Sequence, residues 1–321
     1  MAEFIITTKE QLCALTMRTG AYSGGWKDNV FQLNADIDLT GVDPAGDGKG
    51  WWPIGWWSSG NFFNGQFCGN GHVISNMTIN RPGAYAGFFG TIDPDADGAG
   101  YAHDFVADLA LTNINIIATD TYAGGMLAYI LSPNWTAGYY IRNCYVQGEM
   151  TASRIAGGFC GGSNNGPFKN CYTDVKITCV NSRCELGSFL GAGYIGTRVE
   201  NCYGMGLVNN TGPVTGDTEV GGFVGEAAVS FSGTDCFWDK ITTGKDTDGV
   251  NGIAIGKTTA QMKQEATFTN WDFTNDWWVT EGVTYPALRV FGGAPAPSGD
   301  SVLSFNRSLR GIGFGMNRGI I

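Results

Sequence analysis

The chain has 321 residues, 50 of them glycine, with 15% charged residues, a formal net charge of -10 and a sequence pI near 4.6. That length fits two ordinary domains or one elongated repeat array, and glycine at about twice its usual share favours tight turns and short strands over long helices. The acidic balance argues against a nucleic-acid footprint, no stretch reaches the roughly 18 apolar residues that span a bilayer, and the start Met1-Ala2-Glu3-Phe4 lacks the basic and apolar parts of a secretion leader.

Phe4-Ile5-Ile6 reads as a strand. A short helix follows: Thr8 and Gln11 form a capping box, Leu12, Leu15 and Met17 supply an apolar face, and Gly20 is a stop signal. Such a helix would shield the terminal edge of a repeat array. The alternation from Phe31 to Leu39 predicts one half-buried strand. Trp51, Trp52, Trp56 and Trp57 then cluster; they would form a sugar-stacking platform if they faced solvent, and otherwise fill the first rung of an array. Asn64-Gly65 and Asn70-Gly71 are turn signals between apolar strands. Asp93, Asp95 and Asp97 alternate ahead of Gly98, with Asp104 at the twelfth position, a spacing that wraps oxygen ligands around calcium. A polar loop between repeats is the plainer alternative for the same residues.

From about residue 73 to 240 two phrases return at intervals of about thirty residues. One is glycine-rich: Ala86-Gly87-Phe88-Phe89-Gly90, Gly124-Gly125-Met126-Leu127-Ala128, Gly157-Gly158-Phe159-Cys160-Gly161, Gly187-Ser188-Phe189-Leu190-Gly191 and Gly221-Gly222-Phe223-Val224-Gly225. The other is a polar residue before two apolar ones: Asn76-Met77, Asp108-Leu109, Asn143-Cys144-Tyr145, Asn170-Cys171-Tyr172, Asn201-Cys202-Tyr203 and Asp235-Cys236-Phe237. Units of this size cannot bury their apolar residues alone and must stack. Stacking places Met77, Leu109, Cys144, Cys171, Cys202 and Cys236 in one inward column about 4.8 Å apart, with Tyr145, Tyr172, Tyr203 and Phe237 in the next column outward. The preceding Asn or Asp tolerates a left-handed backbone. The column cysteines are therefore expected as free buried thiols, whereas Cys179 and Cys184, across a polar turn, are placed for a local disulfide.

The period is expected to end after Asp239, and Thr258 to Gln261 opens a second capped helix. Strands around Trp271-Asp272-Phe273 and Trp277-Trp278-Val279 would complete a C-terminal cap. Past Gly292, a Gly/Ala/Pro/Ser linker leads into a tail in which Arg307, Arg310 and Arg318 alternate with large apolar residues such as Phe305 and Phe314. That mixture fits docking on a partner chain better than a solvated terminus.

The run Phe67-Cys68-Gly69-Asn70-Gly71-His72-Val73-Ile74-Ser75-Asn76-Met77, the Gly-Gly-Phe-Val-Gly and Asn-Cys-Tyr phrases, and Asp235-Cys236-Phe237-Trp238-Asp239 with Lys257-Thr258-Thr259-Ala260-Gln261-Met262 resemble the GLUG-motif proteins. These are repeat-bearing relatives of filamentous-haemagglutinin-type adhesins and of non-catalytic regions of large surface peptidases. The resemblance spans roughly residues 28 to 290. It implies an all-β, right-handed parallel β-helix (a β-solenoid) with short capping helices and an extended C-terminal tail. On this reading residues 1–50 form an N-terminal cap, 51–240 the repeats, 241–292 a C-terminal cap and 293–321 a linker and anchoring tail.

Acids gathered on one exposed face, which polysaccharide-degrading enzymes need, are not evident: the position four after the repeat Asn reads Gln147, Asp174, Met205, Asp239. His72 and His103 are the only histidines. The expectation is thus a non-enzymatic structural or adhesive surface protein. The favoured form is a phage virion decoration or fibre-type appendage on the virion surface, anchored through Phe305, Arg307, Arg310, Phe314 and Arg318. No cofactor is expected beyond a structural calcium, and partners would be other virion or surface proteins, a cell-surface glycan, or further copies of the chain in a trimer. A glycan-binding bacterial surface adhesin and a polysaccharide-degrading enzyme are the alternatives.

Overall fold

The computed structural model describes residues 2–16, 26, 29–55, 62–81, 85–93, 104–118, 121–131, 140–212, 219–228, 230–249 and 252–292. The anchoring tail with Phe305, Arg307, Arg310, Phe314 and Arg318, and also Trp56, Trp57, Asp95, Asp97 and His103, lie outside these residues.

Among the described residues the chain is mostly β, in sheets of 16, five, four and two strands. Every strand pair of the three larger sheets is parallel. One repeat contributes Tyr145–Ala152 to the large sheet, Ile155–Gly157 to the four-stranded sheet and Cys160–Asn164 to the five-stranded sheet, then returns to the large sheet with Pro167–Lys169. This repeat thus brings the chain back one strand spacing along, from Tyr145 to Tyr172, which parallel pairing requires.

Like residues lie over like. Tyr145 pairs in register with Tyr172, Tyr172 with Tyr203 and Tyr203 with Phe237. Met77, Leu109, Cys144, Cys171, Cys202 and Cys236 are all buried, and the four cysteine thiols are free as expected, each donating to the carbonyl two residues earlier. Phe159, Phe189 and Phe223 from the glycine-rich phrase stack with centroids 4.9 Å apart. Fully burying such a ring contributes about 1.5–3 kcal/mol. Asn76, Asp108, Asn143, Asn170, Asn201 and Asp235 all take φ between 50° and 61°, the left-handed backbone inferred from their position. Their side chains link the rungs: Asn143 Nδ2 donates to Asp108 Oδ1 at 2.9 Å, and Asn170 Nδ2 to Asn143 Oδ1 at 3.3 Å. Cys179 and Cys184 form the local disulfide.

Several expectations are corrected. The Phe31 to Leu39 alternation is two strands, Asn29–Leu33 and Ile37–Asp38, because Asp36 breaks away to accept from the Val73 N–H and face His72. Asn70-Gly71 is no turn between strands. It is a kink within Gln66–Ser75, where the pairing to Val106–Ala118 shifts between Cys68 and His72. Gly71 has φ +75°, and a Cβ there would fall 2.4 Å from the Val290 carbonyl oxygen, so only glycine fits. The ladder also outlasts Asp239: Phe237–Asp239 pairs with Ile255–Lys257. The helix Lys9–Ala14 does form on its Thr8/Gln11 capping box, as does Thr259–Met262 on Thr258/Gln261.

The first part of the C-terminal segment lies on the last rung, where Asp248 accepts from the Phe223 and Val224 N–H groups and Ile255–Lys257 pairs with Phe237–Asp239, and the part from Met262 to Phe291 folds back along the flank. Phe268 and Trp271 pack on Phe237 and Tyr203, Trp277 on Tyr203 and Tyr172, and Phe291 edge-on against Tyr145 at 5.0 Å. Tyr203 donates to the Pro286 carbonyl at 2.7 Å, and Asn170 to Asp276 at 2.9 Å. Trp271-Asp272-Phe273 is not a strand; the one antiparallel strand pair among the described residues is Trp277–Trp278 with Ala287–Leu288. The column of aromatics on the outer side of the large sheet is thereby turned into a second core.

Candidate functional site

The sequence-inferred sites scatter. Trp51 is 1% exposed, stacks on Phe88 at 5.2 Å and donates its indole N–H to the Phe88 carbonyl, so it belongs to the core and not to an exposed platform. Trp52 is half-buried with the Arg81 guanidinium 4.3 Å over its ring. Arg81 in turn grips Asp47 with both terminal nitrogens and donates to the Trp51 and Gly50 carbonyls. Of the inferred calcium ligands, Asp93 is buried, and Asp104 accepts from the Arg142 Nε and from the Tyr140 N–H. Its carboxylate is thus already matched by a guanidinium. No cluster of three or more metal-ligating side chains occurs among the described residues. Asp239, one of the acids noted by position, is fully buried and accepts from Ile241 N–H, Thr242 N–H, Thr259 Oγ1 and Tyr285 OH, which makes it the structural start of the flanking segment.

A different set of side chains is brought together at the outer corner between the four-stranded and five-stranded sheets. The glycine-rich phrase forms this corner, and the residues just before and just after it stand on its two walls. The first wall runs Tyr122, Ile155, Glu185, Glu219, and the second Tyr129, Gly162, Ala192, Glu226, each in parallel register. Tyr85 continues the first wall, its ring 5.3 Å from that of Tyr122. Across the corner the Tyr122 and Tyr129 rings are 4.9 Å apart. Tyr122 lies over Gly162, where a Cβ would come within 2.6 Å of its ring, and so reaches two rungs on to hydrogen-bond the Tyr194 hydroxyl at 3.0 Å. All four tyrosines are half-buried, neither sealed into the core nor free of it.

Beyond them stand Glu185 and Glu226, both half-buried, with the charge of Glu226 acting on Glu185. Burial first, then the Glu226 charge, push the Glu185 carboxyl up to about 7. Glu219 adds to this and Arg154 partly offsets it. Glu185 Oε2 is buried with no hydrogen-bond partner, since two carboxylates facing each other lack a donor unless a proton or a cation lies between them. Burial, the bond to Tyr122 and the charge of Glu185 also raise the Tyr194 phenol. The corner is therefore a row of aromatic faces ending in a negative pair.

Motif reading passed over these residues because it followed the constant glycines and phenylalanines. The signal lay in the variable positions that bracket them: Tyr122 and Tyr129, Ile155 and Gly162, Glu185 and Ala192, Glu219 and Glu226 each enclose one copy of the phrase. Elsewhere, a shallow groove of about 600 Å³ on the large sheet is lined by Thr40, Asn76, Asn113, Ile114, Glu149 and Lys176 among others, mixed in polarity and without aromatic faces.

No family model matches the chain. Over 124 residues it is 35% identical to a candidate Gly-rich membrane protein of Evansella cellulosilytica, covering 37% of this chain and 13% of that protein. It is 26% identical over 322 aligned positions to Halomucin of Haloquadratum walsbyi, covering 89% of this chain and 3% of that protein. The chain thus spans only a small part of the curated relatives it matches. Among solved structures, a candidate immunoglobulin A1 protease from Bacteroides ovatus superposes with a TM-score of 0.67 at 20% identity, over 90% of this chain and 92% of that one. At that identity the likeness shows a shared fold and nothing about activity. No helix among the described residues is long and apolar enough to cross a membrane.

Proposed function

We propose that the chain is a non-catalytic structural and adhesive module displayed on an outer surface, its parallel sheets closing into a right-handed β-helix. The observation that carries this reading is the in-register stacking of Tyr145, Tyr172, Tyr203 and Phe237 beneath a flanking segment. Such packing commits this part of the sheet's outer face to stiffness.

Two settings fit such a module. In a virion decoration or fibre-type appendage, residues 293–321 would anchor it through Phe305, Arg307, Arg310, Phe314 and Arg318, in a trimer or with other virion proteins. The named relatives, a Gly-rich membrane protein and Halomucin, favour the second setting, a unit within a large cell-surface protein. A chain truncated after Gly292 should melt as the full chain does and fail to join its assembly. Normal incorporation of the truncated chain would overturn the anchoring role. Release of new reducing or unsaturated ends from acidic polysaccharides would overturn the non-catalytic reading.

A further inference from the structure

We propose that the shallow groove on the large sheet binds a neutral, hydroxyl-rich sugar chain laid along the array axis. The proposal rests on the adhesive reading of the preceding section and names the class of ligand that such a surface grips. Thr78, Asn115, Glu149 and Lys176 line the groove as one lateral row, each in register with the next. Three strand spacings make that row about 14 Å long. Thr40 and Gly41 line the groove as well.

Beside the row runs a relay of side chains. Asn113 Nδ2 donates to Asn76 Oδ1 at 2.6 Å, and Asn76 Nδ2 donates to Asp38 Oδ1 at 2.8 Å. A carboxylate only accepts, so the direction of the relay is fixed from Asp38 outward. Each link polarises the next, which makes the amide oxygen at the far end a stronger acceptor than that of an isolated amide. That end is Asn113 Oδ1. The adjoining strand supplies Gly148 there, whose Cβ would fall 2.3 Å from the Ile114 carbonyl oxygen, so no side chain stands next in line. Asn113 lines the groove, and among the described residues no donor reaches its Oδ1.

The charges point to a neutral ligand. Glu149 and Lys176 are exposed lateral neighbours of opposite sign, and among the described residues no ion pair joins them. A cation in the groove meets Lys176 and an anion meets Glu149, whereas a hydroxyl both donates and accepts and so serves each. Hydroxyls along a sugar chain can donate to Asn113 Oδ1 and Glu149 and accept from Lys176 and the Asn115 amide. With no ring face to stack on, a single groove should bind in the millimolar range, and retention on a surface then comes from many copies acting together.

The test is saturation-transfer NMR on the full chain with three neutral probes, cellotetraose, maltotetraose and an N-acetylglucosamine tetramer. A galacturonate tetramer and a glucosamine tetramer serve as the anionic and cationic counterparts. At least one neutral tetramer should bind, and both charged tetramers should bind at least about threefold more weakly. Asn115→Trp, which fills the middle of the groove from an exposed position, should abolish binding. Val180→Trp, exposed on the same sheet outside the groove, should leave it unchanged. Glu149→Ala, which removes one acceptor, should weaken binding severalfold. Silence with all three neutral probes, charged tetramers that bind as well, or binding that survives Asn115→Trp would overturn the proposal. Such results sink the groove and not the structural module, whose own tests are the truncated chain and the search for cleaved polysaccharide.

Discussion

Two rows of aromatics run along the outside of this molecule, and they have opposite fates. Tyr145, Tyr172 and Tyr203 stack nearly face to face at 4.8 and 4.9 Å and are at most 2% exposed, because the segment from Met262 to Phe291 lies over them. Tyr85, Tyr122, Tyr129 and Tyr194 meet at tilted angles in the sheet corner and stay half-buried, with nothing among the described residues laid over them as a second core. The repeat supplies the same device twice, an outward position that recurs every rung. What covers the row decides whether it becomes core or surface.

The largest effect expected from this contrast is on folding stability. Tyr203→Ala removes a fully buried ring and its bond to the Pro286 carbonyl, and should cost about 3–5 kcal/mol in denaturant unfolding. Tyr129→Ala, in the open row, should cost about 1 kcal/mol. Equal losses would break the distinction. Next in size is Asp239→Ala, which leaves four donors without their carboxylate and should cost about 2–3 kcal/mol. Limited proteolysis should then cut first within 258–292 while the stack stays protected.

Smaller is a pH effect seated in the open corner. The folded state holds a proton on Glu185 that the unfolded chain, with an ordinary carboxyl, releases earlier. Stability should therefore decline as pH rises from about 4.5 to about 7 and level off above. Discounted for the exposure of the group, the change is about 1 kcal/mol. Asp248, which burial raises to about 6, acts with the same sign at lower pH, so the interval from 6 to 7 reports mainly on Glu185. Glu226→Gln should flatten that interval in thermal melts; an unchanged slope would dissociate Glu185 from Glu226. Smallest is Tyr122→Phe, which deletes only the hydroxyl contact to Tyr194 and should cost about 0.5–1 kcal/mol.

The sequence spoke clearly wherever one residue had one physical job in every repeat. The left-handed Asn and Asp positions, the cysteine column, the Thr8 and Thr258 caps and the Cys179–Cys184 bridge all have such jobs, and each is found in the structure. Asn70-Gly71 misled because the same dipeptide that makes a hairpin turn also makes a kink inside a strand, and the choice is set by the distant Val290 carbonyl. The course of the C-terminal segment was illegible for a related reason: Phe268, Trp271 and Trp277 look alike as an end cap or a flank, and only the partner surface tells them apart. The corner was hidden in plain view, since Glu185 and Glu226 are far apart in the chain and meet only when the register is known.

Neighbouring repeats lie parallel and in register, so that residues about thirty apart in sequence become lateral neighbours. Disulfide trapping tests this directly at the exposed positions Glu149 and Lys176, which pair across adjacent strands, with Val180 as an exposed control four residues further along. Glu149→Cys/Lys176→Cys should cross-link rapidly under mild oxidation, as mapped by peptide mass spectrometry. Glu149→Cys/Val180→Cys, about 13 Å apart along the strand direction, should stay open. Closure of the second pair and not the first would contradict the register on which every other conclusion depends.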